Sequence, residues 1–427
     1  MNKKLNILLL GSGGREHALA RKIRTSAMCN KFFALPGNPG IASLADLLEG
    51  SMDDFEHLSQ LIAARQIDML IVGPEQPLVD GLADYLKKKN PQLHIIGPTK
   101  NGAQLEGSKA FSKKFMRRHQ IPTAEYFEVS STNIADGIAV LQRMTAPYVL
   151  KADGLAAGKG VLILDDKEEA ISELQLMLEG KFGKASKTVV IEEFLSGVEF
   201  SVFALVSNGQ YILLPVAKDY KRVGEGDKGK NTGGMGSVSP VPFADDTLMN
   251  KVKNKIIEPT IQGLVQEGID YLGFIFFGLI DVNGDPHVIE YNSRMGDPET
   301  QSVMVRIESD FVECLLAAAQ HRLDEVKLKI SEKIAVSLVL ASGGYPNDFE
   351  KGLEISGDLI ETEDLFLNHA GTSIQGGKLV TNGGRVFTVT ALADDYQSAL
   401  KSCLNKAELI IYDKKYFRRD IGKDIFS

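Results

Sequence analysis

From Asn6 to about Thr99, short apolar runs alternate with helical patterns: "NILLLG", "REHALARKI", "KFFALPG", "DMLIVGPE", "GLADYLKKK" and "HIIGPT". Strand and helix in repetition admit few folds, and the pattern predicts a parallel sheet with helices on its faces. The strand-like runs end in Gly or Pro, at the end where such sheets bind ligands. A second unit begins near Leu105 with the helical "EGSKAFSKKFMRRH" and the extended "IPTAEYFEV". There "YVLKADGLAAGKGVLIL" reads as strand, glycine loop, strand, and "EEAISELQLML" with "TVVIEEFL" completes a small α+β module from roughly Thr123 to Ile191. Apolar runs flank Asn208-Gly209 and again Asn283-Gly284, which predicts two hairpins. Between them, the polar, glycine-rich stretch Val223 to Gly236 predicts an irregular loop that binds a ligand. From about Lys333, "IAVSLVLASGGYP", "GRVFTVTALADD" and "YQSALKSCLNKA" predict a last β-with-α unit. The fold class expected is α/β and α+β, multidomain.

Composition narrows the function classes. A net charge of −8 argues against a nucleic-acid partner and leaves room for a basic pocket around a small anion. The cysteines, Cys29, Cys314 and Cys403, form no C-x-x-C pair, so neither zinc nor a disulfide framework is expected. The opening apolar run is too short for a signal peptide, and no window is apolar enough for a membrane span. A cytoplasmic monomer acting on small molecules is the expectation.

"GSGGREH", Gly11 to His17, follows the first strand like a dinucleotide fingerprint, but Glu16 stands at the third glycine position. "FFALPGN" occupies the place where an acidic ribose ligand should end the second strand. A nicotinamide cofactor is therefore disfavoured, while a helix N-terminus with Arg15 beside it still suits an anion. "KADGLAAGKG" fails as a P-loop on spacing and leads into a strand. With Lys151 before it and Lys159 within it, the loop suits a lid over a triphosphate. "VVIEEFL" ends a strand with Glu192 and Glu193, which must point to opposite faces. Glu290 and Asn292 alternate along one strand and so share a face, a pair of hard oxygens suited to Mg2+. "SRMGDPE" adds Arg294, Asp297 and Glu299 in one turn, and "KDYKR" with "NTGGMGS" would bring charge and bare backbone N–H groups to the same place. His17, His119, His287 and His369 show no ligand-like spacing.

A glycine lid unlike a Walker loop, a strand-borne Glu-x-Asn and "SKAF" before the lid module together resemble the ATP-grasp superfamily of carboxylate-amine ligases. More narrowly, the chain resembles the glycinamide ribonucleotide synthetase family. The resemblance runs from "GSGGREHALA" through "PGNPG", "VGPEQPLVDG", "GPTKNGAQLEGSKAFSKKFM", "KADGLAAGKGV", "VIEEFLSG", "NTGGMG" and "NSRMGDPETQ" to "ASGGYP", "HAGT", "GGRVF" and "FRRDIG". It implies a Rossmann-like N-terminal domain (1–104), an ATP-grasp core (105–122 and 192–330), a lid (123–191) and a small β-rich α+β C-terminal domain (331–427). The implied reaction joins glycine to 5-phosphoribosylamine with ATP as co-substrate, by way of an acyl phosphate.

The resemblance also implies roles. Lys109 and Lys151 would bind ATP phosphates beneath Gly158, Lys159 and Gly160. Glu192, Glu193, Phe194 and Leu195 would hold adenine, with Glu199 on the ribose. Glu290 and Asn292 would ligate Mg2+ (or Mn2+), and Arg294 would grip the γ-phosphate and acyl phosphate. Asp219, Lys221, Gly233 and Gly234 would line the glycine and amine site with Asp297. Gly13, Gly14, Arg15, Asn38 and Glu75 would meet phosphoribosylamine. This chain has Gly278 where many superfamily relatives carry an acidic metal ligand, Tyr220 where His is expected, and Ser293 and Met295 where Ala and Phe are common. Three further readings compete: a bicarbonate- or formate-using relative, a nicotinamide oxidoreductase built on Gly11 to His17, and a nucleotide-binding regulator without turnover.

Overall fold

The computed structural model describes residues 4–156 and 160–426. The first five strands form a parallel sheet in the order Asp46–Leu47, Cys29–Pro36, Leu5–Gly11, Met69–Val72, His94–Ile96. Every residue of the central strand Leu5–Gly11 is buried, because both its faces are covered. Leu8 and Leu10 join a core with Leu58, Leu82 and Leu86 from the helices on one face. Ile7 and Leu9 face the other way, into a core shared with Phe203, Phe274 and Phe311. One strand's alternation thus welds the N-terminal sheet to the middle of the molecule.

The module expected after it is an antiparallel sheet in the order Tyr126–Ser130, Thr188–Glu193, Tyr148–Ala152, Val161–Leu164. It has its own core of Val129, Leu141, Leu150, Leu174 and Ile191. A second antiparallel sheet runs Gln210–Leu213, Val198–Ser207, Leu272–Val282, Asp285–Asn292. Both expected hairpins turn at their Asn-Gly pairs, with φ of 41° and 89° at Asn208 and Gly209 and 54° and 86° at Asn283 and Gly284. Positive φ at both central positions matches the strands' twist, which is why Asn-Gly is favoured there. Gly278 pairs with Glu290, and an irregularity in the ladder follows at once between Gly278 and Leu279.

The last sheet departs from the expected division. Its order is Lys218–Asp219, Gly236–Ser239, Ile334–Ala341, Arg385–Ala393, Leu365–His369, so two of its strands come from the segment assigned to the central core. The stretch from Val223 to Gly236 is likewise not irregular throughout. Arg222–Gly224 pairs with Lys228–Asn231, and Gly236 opens a strand. This polar hairpin carries no alternating apolar signal and is anchored from outside. Arg418 Nη1 donates to the Arg222 carbonyl at 2.9 Å, and the Gly226 N–H donates to Asp420 Oδ2 at 2.7 Å, which accounts for "FRRDIG" near the end of the chain. Among the described residues no helix is long and apolar enough to cross a membrane.

Candidate active site

The first cluster is built where the antiparallel module Tyr126–Glu193 meets the helix Lys109–Arg118. Ser108 caps that helix by accepting from the Phe111 N–H at 3.0 Å. Asp153, just past the strand Tyr148–Ala152, accepts from Ser108 Oγ at 2.9 Å and from the Ala110 N–H at 2.7 Å. A carboxylate at a helix N-terminus is stabilised there, and this one fixes Lys109 beside the lid strand that carries Lys151. Lys109 Nζ donates to the Gly154 carbonyl at 3.3 Å. Glu192 is 3% exposed, and its Oε2 pairs with Lys151 at 3.0 Å and Lys113 at 2.9 Å. Its Oε1 is buried without a hydrogen-bond partner. Burial pushes the Lys113 ammonium down to about 8 even though Glu192 opposes the shift. Glu193 points out to solvent and accepts from the Glu125 N–H, while the Phe194 ring is exposed at the lid edge. Gly158 and Lys159 lie outside the described residues.

Across from these groups the strand Asp285–Asn292 delivers Glu290 and Asn292, and Lys151 Nζ donates to the Ile289 carbonyl just before them at 3.3 Å. The Asn292 amide is buried, its Oδ1 accepting from Arg294 Nη2 at 3.2 Å and its Nδ2 unpartnered. Arg294 is held on several sides. Its Nε pairs with Glu75 Oε2 at 2.9 Å, Nη2 with Glu106 Oε1 at 3.0 Å, and Nη1 donates to the Met295 carbonyl at 3.1 Å. Burial raises the Glu75 carboxyl, but Arg294 and Arg15 outweigh it and hold the group at about 2. Glu106 is buried more deeply, and burial moves it upward.

A third cluster holds Glu199, Asp219, Lys221 and Glu299. Lys221 Nζ donates to Glu199 Oε2 at 2.6 Å, and this cation lowers the Glu199 carboxyl. Burial and then the neighbouring Glu199 raise Asp219, although Lys221 opposes them. Burial and Asp219 push Glu299 up to about 7, and its Oε1 accepts from Ser201 Oγ at 3.1 Å. Tyr220, between Asp219 and Lys221 in sequence, turns away from them. Its ring lies between the Lys218 ammonium, 4.4 Å from the centroid, and the Arg418 guanidinium at 5.3 Å. Burial and the Asp424 carboxylate that its hydroxyl donates to raise its pKa far above the ordinary phenol value.

The opening loop shows why a dinucleotide does not fit. The Gly13 N–H at the helix N-terminus donates to Glu16 Oε2 at 2.6 Å, and Arg15 Nε binds Glu16 Oε1 at 2.7 Å. A protein carboxylate thus takes up the N–H at this helix N-terminus. Gly14 packs so closely that a Cβ there would lie 2.6 Å from Gln301 Nε2. Asn38 is fully engaged, donating to the Ser12 and His369 carbonyls at 2.8 and 2.9 Å and accepting from the Ile41 N–H. It fastens the loop to the C-terminal sheet.

Arg385 closes the other side. It donates to the carbonyls of Gly233 and Asp297 and pairs with Asp297 Oδ2 at 2.9 Å. Burial works against Asp297, yet Arg385 and Arg15 hold its carboxyl below the usual range. Glu106, Lys113 and Arg385 escaped the sequence reading as site residues. Each stood inside a quoted motif, "EGSKAF", "SKKF" and "GGRVF", without a role of its own.

Known proteins supply the frame for these clusters. A family model described as phosphoribosylglycinamide synthetase, N domain, matches residues 5–106; the ATP-grasp (A) domain model matches 107–300 and the C domain model 335–424. Phosphoribosylamine–glycine ligase of Pasteurella multocida is 47% identical over 425 residues, covering 98% of this chain and 97% of that one. The protein of the same name from Haemophilus influenzae is 45% identical over 426 residues, with 98% of each covered. The crystal structure of phosphoribosylamine–glycine ligase from Thermotoga maritima superposes with a TM-score of 0.85 at 34% identity, over 98% of this chain and 100% of that one. A biotin carboxylase from Campylobacter jejuni, 14% identical, shares the fold with a TM-score of 0.73 over 97% of this chain and 93% of its own. Matched by all three domain models and by full-length relatives, the chain belongs to the phosphoribosylamine–glycine ligase family, ATP-grasp enzymes that make glycinamide ribonucleotide in purine biosynthesis.

Proposed function

We propose that this ATP-dependent ligase activates glycine as glycyl phosphate and then transfers the glycyl group to the amine of 5-phosphoribosylamine. A carboxylate is a poor electrophile, so its oxygen first attacks the γ-phosphorus and releases ADP. The amine then attacks the carbonyl carbon and phosphate leaves. The observation that carries this reading is the convergence of cations Lys109, Lys113, Lys151 and Arg294 with the Glu290–Asn292 strand between lid and core. Phosphoryl transfer depends chiefly on positioning and charge neutralisation, and such a cluster supplies both.

Lys109 and Lys151 bind the phosphates, with Gly158, Lys159 and Gly160 over them. The unpartnered Glu192 Oε1 is an acceptor suited to the adenine amino group, beside Glu193, Phe194 and Leu195. Glu199 takes the ribose hydroxyls. Arg294 grips the γ-phosphate and the acyl phosphate. Asp219, Lys221 and the Gly233–Gly234 backbone receive glycine, and Gly13, Gly14, Arg15, Asn38, Glu75 and Asp297 surround phosphoribosylamine, Asn38 by shaping the loop.

Glu290 and Asn292 fit a hard divalent cation, Mg2+ or Mn2+. The Asn292 Oδ1 accepts only from Arg294 Nη2 and keeps a lone pair for a cation, and among the described residues no three His, Cys, Asp or Glu side chains form a metal-binding group. A cation held by two protein oxygens completes its shell with phosphate oxygens and water, as Mg2+ prefers. When bound it neutralises phosphate charge. The protein acts as a cytoplasmic monomer on these small molecules, which light scattering and fractionation check. Phosphate release from ATP, with glycine and phosphoribosylamine added separately and together, tests the function. Full turnover requires both, and turnover that needs bicarbonate or formate in place of glycine contradicts it.

A further inference from the structure

Arg294 is the site's best-held cation, and one of its partners has no substrate-facing role in the account above. Glu106 lies at the end of the short helix Gln104–Gly107, directly before the Ser108 cap of the Lys109 helix. Its residue is 8% exposed. Oε1 pairs with Arg294 Nη2 at 3.0 Å, and Oε2 accepts from both the N–H and the hydroxyl of Ser293, at 2.8 and 3.0 Å. One carboxylate therefore fixes two successive residues of the turn that leaves the Glu290–Asn292 strand. It is also three residues from Lys109, whose ammonium it supports electrostatically. A buried carboxylate costs free energy unless it is satisfied, and every bond that satisfies this one leads to the turn carrying Arg294.

We propose that Glu106 is a positioning residue for the phosphoryl-transfer step: through Arg294 and Ser293 it sets the guanidinium in register with the phosphate held by Lys109. Glu75 holds the same guanidinium from the N-terminal domain, at a partly exposed position where an incoming substrate can reach it. Glu106 is shielded, so it remains as the fixed pivot when Glu75 is engaged elsewhere. The amide of Glu106→Gln keeps an acceptor for the Ser293 N–H but loses the charge that aims Arg294.

The inference rests on Arg294 acting on the transferred phosphate, so the test is a double-mutant cycle read in kcat, with ATP, glycine and phosphoribosylamine saturating. Glu106→Gln lowers kcat about tenfold or more while leaving KM for ATP within about twofold, as expected when a charge-assisted bond to a working group is lost. In an Arg294→Ala background the same change has no further effect on kcat, because its only route to the chemistry is gone. If Glu106→Gln fails to fold, Glu106→Asp serves, retaining charge while withdrawing it from Arg294, and the same non-additivity is expected. Wild-type kcat in the Glu106 variant that folds, or a loss that multiplies onto that of Arg294→Ala, overturns the inference. Wild-type kcat in Arg294→Ala alone instead overturns the role given to Arg294.

Discussion

At the scale of single residues, the site is a set of buried charges whose geometry decides what they can recognise. Glu192 is held by two lysines on one oxygen and bare on the other. Facing adenine, that oxygen receives an amino group; facing guanine, it meets a carbonyl. Glu192→Gln is expected to lower kcat/KM for ATP about tenfold or more and to lower that for GTP less, since an amide can donate to the guanine oxygen. Equal losses for the two nucleotides would argue against this contact. Glu299 provides a separate check through pH. Its folded value of about 7 lies above the ordinary 4.5, so the folded state keeps a proton that the unfolded chain has already lost between those values. Its favourable contribution is present below pH 4.5 and is lost as pH rises through about 7. Glu299→Gln should therefore stabilise the protein by about 3 kcal/mol near pH 8 and by little near pH 4, measured by unfolding at both. A gain independent of pH would contradict the assignment. The residues picked out from the sequence were those whose types suit phosphate or metal. Glu106, Lys113 and Arg385 pair with other side chains, and nothing local in a sequence marks a partner far along the chain.

At the scale of elements, legibility followed how local the determining interaction is. The hairpins at Asn208-Gly209 and Asn283-Gly284 were readable because two adjacent residues set the turn. The alternation of Glu290 and Asn292 was readable because a strand's period is two. The hairpin Arg222–Gly224 with Lys228–Asn231 was not, because its anchors lie near residue 420 and its own strands are polar. The lid offers a prediction at this scale. A Cβ on Gly160 would lie 2.7 Å from the Ala156 Cβ and 3.2 Å from that of Ala152, so the loop re-enters the sheet through a passage only glycine fits. Gly160→Val is expected to raise KM for ATP about tenfold, the size of effect that a misplaced positioning element produces. An unchanged KM would separate this glycine from nucleotide binding.

At the scale of the whole molecule, the N-terminal loop, the central turn and the C-terminal sheet meet at one place, and Arg385 ties two of them together. The sheet itself joins distant segments, since Gly236–Ser239, paired on one side with Lys218–Asp219, pairs on the other with Ile334–Ala341. Such pairing leaves no trace in composition or periodicity. Arg385→Ala should raise KM for phosphoribosylamine and glycine about tenfold and leave KM for ATP within about twofold, because it frees the Gly233–Gly234 backbone and Asp297 without touching the lid. Equal effects on all three substrates would mean that Arg385 serves only stability. The central claim is that one glycine carboxylate oxygen bonds to the γ-phosphorus before the amide forms. Glycine labelled with 18O in its carboxylate tests this directly: one labelled oxygen per turnover should appear in the released phosphate, and phosphate free of label would contradict the account.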